Sequence, residues 1–154
     1  MSGLLPIVYL ARHGETAWSL SGQHTGLTDL PLTERGESDA SALKLRLKIM
    51  TFSKVFTSPL KRAVRTCELA GFGDRSEIDP DLVEWNYGEY EGVRTAEIRE
   101  RRPNWQFVTV VPAANPSKKS GHERTASWPG FDRSTKACCC FPADIFCVCW
   151  RHVG

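Results

Sequence analysis

The chain has 154 residues, enough for one domain and too few for two of ordinary size. Its 20 basic and 18 acidic residues leave a formal charge of +2, which carries no nucleic-acid signature. No stretch approaches the ~20 apolar residues of a membrane span. Met1 to Ala11 lacks the basic start of a secretory signal, so the expected compartment is cytoplasmic, with no membrane partner.

Leu4 to Leu10 is a short apolar run with branched residues, the pattern of a buried strand. It ends at Arg12-His13-Gly14-Glu15-Thr16, where Gly14 permits a tight turn. Ser21 to Leu32 reads as loop. Thr33 then caps a helix with acidic residues in its first turns, and apolar spacing carries that helix to about Met50. Ser53 to Thr57 is a second strand. Ser58 and Pro59 open a helix through Leu69, with Ser58 as its cap, and Gly71 and Gly73 end it. Cys67 sits alone in that helix as a small buried apolar residue. Ile78 to Leu82 predicts a third strand, Glu84 to Gly92 a loop rich in glycine and aromatics, and Thr95 to Arg102 a short helix stopped by Pro103. Strands alternating with helices predict an α/β sheet with parallel strands.

In such sheets ligands bind at the carboxyl ends of strands. A histidine there can attack phosphorus through one ring nitrogen while backbone holds the other. Arg12 beside it offers a forked donor to phosphate oxygens. Alone, the tripeptide reads better as a core-edge histidine beside a surface arginine. Arg62 lies in the first turns of a helix, a place suited to a dianion, and alone reads as a solvated arginine between Lys61 and Arg65. Glu84 sits among aromatics, where desolvation favours a proton for a leaving alcohol; alone it reads equally as a surface carboxylate. Thr25, Gly26 and Thr28 offer backbone N–H groups and hydroxyls, or simply a turn.

In this order and spacing the motifs resemble the histidine phosphatase superfamily, also called phosphoglycerate-mutase-like. The matching pieces are Arg12 to Thr16, Thr25 to Thr33 with Gly36, Ser58 to Ala63, and Leu82 to Gly92. The resemblance covers about residues 5 to 106. It implies an α/β three-layer sandwich with a mostly parallel sheet, with His13 as phosphorylated nucleophile and Glu84 as proton donor. Arg12 and Arg62 would bind phosphate, with Thr25 and Gly26 lining the substrate pocket. It implies no metal or other cofactor and a small phosphorylated metabolite as partner. The stretch Trp18 to Gly26 is similar to sugar-phosphate phosphatases of the sedoheptulose-bisphosphatase type; mutases usually carry asparagine where Ser19 stands. A sugar-phosphate phosphatase is therefore expected, with mutase-type transfer as the alternative.

The family also uses a second histidine, on a late strand ending in a Ser-Gly-His-like turn. After residue 106 this chain has only His122 and His152. No apolar strand precedes Ser120-Gly121-His122, and His152 has no motif. Read one base out of register, Thr109 to Pro116 can encode GCPGGES, a loop typical of the family. In the same way Ala137 to Phe146 can encode VLLFSSGHF, and Phe146 to Gly154 LRVLAARW. Residues 1–106 are thus expected to be the front of a histidine phosphatase domain, and 107–154 a frameshifted, poorly ordered tail. The shift turns leucine and valine codons into Cys138, Cys139, Cys140, Cys147 and Cys149. The rival reading of that cluster, a zinc site, lacks the usual spaced pairs. Without its second histidine the chain is alternatively an inactive phosphate-binding pseudoenzyme.

Overall fold

A computed structural model describes residues 7–106 and 145–151. Strand β1 (Ile7–Arg12) runs two residues past its predicted end. Helix α1 (Ala17–Ser21) occupies a stretch with no predicted element, and it ends where the predicted loop begins at Ser21. Thr16 and Ser19 form a capping box, and Gly22 ends the helix at φ 77°. Helix α2 (Glu34–Leu47) has the predicted cap, with the Thr33 hydroxyl accepting from the Gly36 N–H at 3.1 Å. Strand β2 is Lys54–Thr57 and helix α3 is Lys61–Leu69. Ser58 is not the cap of α3: Leu60 holds that position without a side-chain bond. The Lys61 N–H instead donates to Asp29 Oδ1 at 2.7 Å, so a distant loop satisfies the first turn.

The predicted strand Ile78–Leu82 is displaced. Strand β3 is Ser76–Ile78, and Pro80–Leu82 form a 3-10 turn capped by the Asp79 carboxylate. Pro80 has no N–H to give a sheet, so pairing stops before it. Helix α4 is Thr95–Arg101. In the tail, Ile145–Arg151 forms strand β4. Ile-Phe-Cys-Val-Cys-Trp is a branched and aromatic run that suits a strand whatever its origin. The readings placed on residues 107–144 and 152–154, including His122, Cys138, Cys139, Cys140 and His152, lie outside the described residues.

Among the described residues the sheet order is β1-β4-β2-β3. β2 and β3 are parallel, while β4 is antiparallel to both β1 and β2. It follows that β1, β2 and β3 share one direction. Three of the four strands thus run in one direction, as the expected fold requires, while β4 between them makes two of the three pairings antiparallel. The carboxyl ends of β1, β2 and β3 lie along one edge, and there the chain leaves the sheet at His13, Ser58 and Asp79.

α3 packs on α2 and on the β2–β4 part of the sheet. The core between them contains Phe52, Val55, Ala63, Cys67, Ala70 and Phe72, with Tyr9 and Ala11 of β1 against it. Phe52 meets Tyr9 and Phe72 edge-on, at 5.5 and 5.6 Å between ring centroids. Cys67 is fully buried, as its helical position predicted. A second cluster of Tyr90, Ile98 and Trp105 supports the loop after β3.

The turn after β1 meets the start of α2 through facing glycines. A methyl on Gly36 would lie 2.2 Å from the Glu15 carbonyl oxygen, and one on Gly14 2.3 Å from the Gly36 oxygen. Both obstacles are backbone. Gly36→Ala is expected to destabilise the fold by about 2–3 kcal/mol, lowering Tm by roughly 5–10 °C in a thermal melt. An unchanged Tm would show that the helix can back away from the turn.

Candidate active site

The site starts with the turn that follows β1. Gly14 N–H donates to Thr66 Oγ1 at 3.0 Å, and that hydroxyl donates to the Arg62 carbonyl at 2.7 Å. The turn is thereby tied to the first turns of α3. His13 is 8% exposed, and its Nδ1 lies 2.6 Å from the Gly14 carbonyl oxygen. A carbonyl only accepts, so Nδ1 carries the ring proton and Nε2 keeps the lone pair of the neutral ring.

Arg62 is 1% exposed, and its guanidinium is committed to backbone. Nη1 donates to the Thr28 carbonyl at 2.9 Å and Nη2 to the Gly26 carbonyl at 2.8 Å. On the other side of the same loop, Glu91 Oε1 accepts from the N–H groups of Gly26 (2.8 Å) and Thr28 (2.9 Å). A methyl on Gly26 would come within 1.9 Å of the Trp85 carbonyl oxygen, so the loop lies directly on the segment that carries Glu84. Glu84 is 7% exposed, and its Oε1 accepts from the Trp85 N–H at 3.0 Å.

His13, Arg62 and Glu84 line one pocket, closed by Ser58, Leu60 and Leu82. Three predicted site residues thus converge at the carboxyl edge of the parallel strands: a nitrogen with a lone pair, a guanidinium and a carboxyl group. The other three stand outside that lining. Arg12 is exposed, at an irregularity in the β1–β4 pairing where it faces Ile145. Thr25 is buried and turns its hydroxyl to the Gln23 carbonyl at 3.3 Å. Gly26 cannot offer its amide to phosphate as predicted, because Glu91 takes it, and the Thr28 amide is taken in the same way. Glu91 went unremarked in the sequence. Its only signal there is a carboxylate next to Gly92 in an aromatic loop.

His24 belongs to the wall behind the loop. Its ring stacks on Tyr87 at 5.1 Å between centroids, and Nε2 lies 3.1 Å from Thr95 Oγ1. Burial lowers its pKa, with Glu91 opposing. Arg151 pairs with Ile7 at the end of β1 remote from His13. Ser19 spends its hydroxyl in the Thr16 capping box. Among the described residues no group of three or more His, Cys, Asp or Glu is placed to hold a metal ion, and no helix is long and apolar enough to cross a membrane.

The chain is similar to known proteins over its larger, front part. It is 43% identical over 120 residues to an acid phosphatase of Mycobacterium tuberculosis, an alignment covering 77% of this chain and 59% of that protein. It is 43% identical over 117 residues to sedoheptulose 1,7-bisphosphatase of Saccharomyces cerevisiae, covering 66% and 43%. Phosphoglycerate mutases are also among its relatives. The solved structure of an open reading frame product of Mycobacterium tuberculosis superposes with a TM-score of 0.59 at 39% identity, covering 66% of this chain and 52% of that one. The chain spans about half the length of the curated relatives it matches. The family model for branch 1 of the histidine phosphatase superfamily matches residues 8–125, so it reaches beyond Gln106. With that match spanning most of its length, the chain belongs to the histidine phosphatase superfamily.

Proposed function

We propose that this chain is built for phosphoryl transfer from a phosphomonoester, of a sugar phosphate by preference, to His13. The observation that carries the reading is the Nδ1 contact to the Gly14 carbonyl, which leaves Nε2 as the nucleophilic nitrogen of a ring lining the same pocket as Arg62 and Glu84. In the first step Nε2 attacks phosphorus, the P–O ester bond breaks, and Glu84 as the carboxylic acid gives its proton to the departing alcohol. In the second step water attacks phosphorus, Glu84 as carboxylate takes its proton, and the N–P bond breaks to release phosphate. A second hydroxyl in place of water makes the same cycle a mutase. Arg62 balances phosphoryl charge in both steps. The sugar-phosphate preference is supported by the relationship to sedoheptulose 1,7-bisphosphatase and by the Trp18–Gly26 stretch.

A second reading has its own support. The central place between β1 and β2 holds β4 in reversed direction, and among the described residues no second histidine lines the pocket with His13. On that ground this chain forms the phosphohistidine and turns it over slowly, at the limit as a phosphate-binding pseudoenzyme.

Exposure to a phosphorylating donor such as phosphoramidate separates the readings. The expected product is one acid-labile, base-stable phosphoryl group on the tryptic peptide His13–Arg35, located at His13 rather than His24 by fragmentation mass spectrometry. An adduct on His24 would move the nucleophile; bound phosphate with no adduct would establish the pseudoenzyme.

A further inference from the structure

Arg62 does not reach the pocket on its own. Its guanidinium holds the carbonyls of Gly26 and Thr28, and the amides of those two residues are held by one oxygen of Glu91. The loop is gripped from opposite sides, carbonyls by a cation and amides by an anion. Glu91 is delivered there by a separate set of backbone bonds. Gly92 N–H donates to the His24 carbonyl at 2.8 Å, His24 N–H to the Val93 carbonyl at 3.1 Å, and Gln23 Nε2 to the Gly92 carbonyl at 2.6 Å. The other carboxylate oxygen, Oε2, is buried and has no hydrogen-bond partner among the described residues. The bonds that Glu91 makes therefore go to the loop.

Building on the phosphate reading of the pocket, we infer that Glu91 is a positioning residue: through the Gly26–Thr28 loop it fixes the guanidinium of Arg62 for the phosphoryl group. A charge-assisted bond to each amide is stronger than a neutral one and leaves the loop one register. The two planar donors of Arg62 match that register and no other. Glu91 touches no substrate in this scheme. Its negative charge by itself weakens anion binding, so a loss of affinity on its removal cannot come from simple electrostatics. That sign separates positioning from charge.

The test compares the full chain with Glu91→Ala, Glu91→Asp and Glu91→Gln. Two readouts are needed. Amide exchange at Gly26 and Thr28, with the Arg62 Nε–H resonance, reports the loop without any ligand; inorganic phosphate affinity by calorimetry reports the pocket. In Glu91→Ala, exchange at both amides is expected to quicken about tenfold and the Arg62 signal to shift, with phosphate Kd rising about tenfold. Glu91→Gln keeps an oxygen for both amides and is expected to hold Kd within about threefold of the parent chain. Glu91→Asp is one methylene short and should behave like the alanine variant, which keeps the test decisive if alanine unfolds the protein. An alanine or aspartate variant with parental exchange and Arg62 signal overturns the inference, as does a glutamine variant no better than alanine. If the parent chain binds no phosphate while the loop readouts move as stated, the pocket's phosphate reading falls and the Glu91–Arg62 coupling stands.

Discussion

His13→Ala is expected to abolish the phosphoryl adduct and to lower phosphomonoester turnover by ~10³-fold or more. The size follows from what the side chain does. The described pocket contains one nitrogen with a lone pair at the carboxyl edge of the parallel strands, and its tautomer is set by the Gly14 carbonyl. Arg62 and Glu84 remain in the variant, so phosphate is still gripped and the leaving alcohol can still be protonated. What is lost is the covalent step that divides one difficult displacement into two. Phosphate affinity should therefore fall much less than rate, within about tenfold. The comparison is made with p-nitrophenyl phosphate for rate and inorganic phosphate for affinity. Equal turnover by the variant and the parent would remove His13 from the chemistry. An equal loss of both would assign it to binding alone.

The front of the fold was legible because its signals are local. A run of branched residues before Arg12, the Thr33 cap and the glycines after α3 each specify the backbone at their own positions. His13, Arg62 and Glu84 were found from motif spacing, and the sheet brings them together. What sequence could not show are the contacts made across the chain. Asp29 caps α3 from 32 residues away and displaces Ser58 from that task. Glu91 takes the Gly26 and Thr28 amides from 65 and 63 residues away and removes them from the phosphate site. The strand in the tail was missed for a different reason. Its apolar run stands in a tail with little periodicity around it, yet register pairs Cys149 with both Tyr9 and Val55.

Replacing residues 107–154 by the sequence that the same bases encode one position out of register is expected to raise kcat by about 10²–10³, the worth of one preorganised donor at a developing charge. The argument rests on direction. β4 fills the central place between β1 and β2, and either direction of a strand there can satisfy the backbone on both sides. Direction decides what arrives at the pocket. In β4 the amino end, Ile145, faces Arg12 beside the site, and the carboxyl end, Arg151, faces Ile7 at the far edge. A strand parallel to β1 and β2 would instead bring its carboxyl end to His13. The alternative frame can encode an apolar run followed by Ser-Gly-His, the order such a strand requires. It would set an imidazolium against the phosphoryl group opposite Arg62. Val8 and Leu10 on β1, 42% and 44% exposed in the present chain, would also gain apolar segments able to cover them. The replaced protein is compared with the parent by steady-state turnover of sedoheptulose 1,7-bisphosphate and by thermal melting. A folded product with parental kcat would show that the reversed strand costs the site nothing.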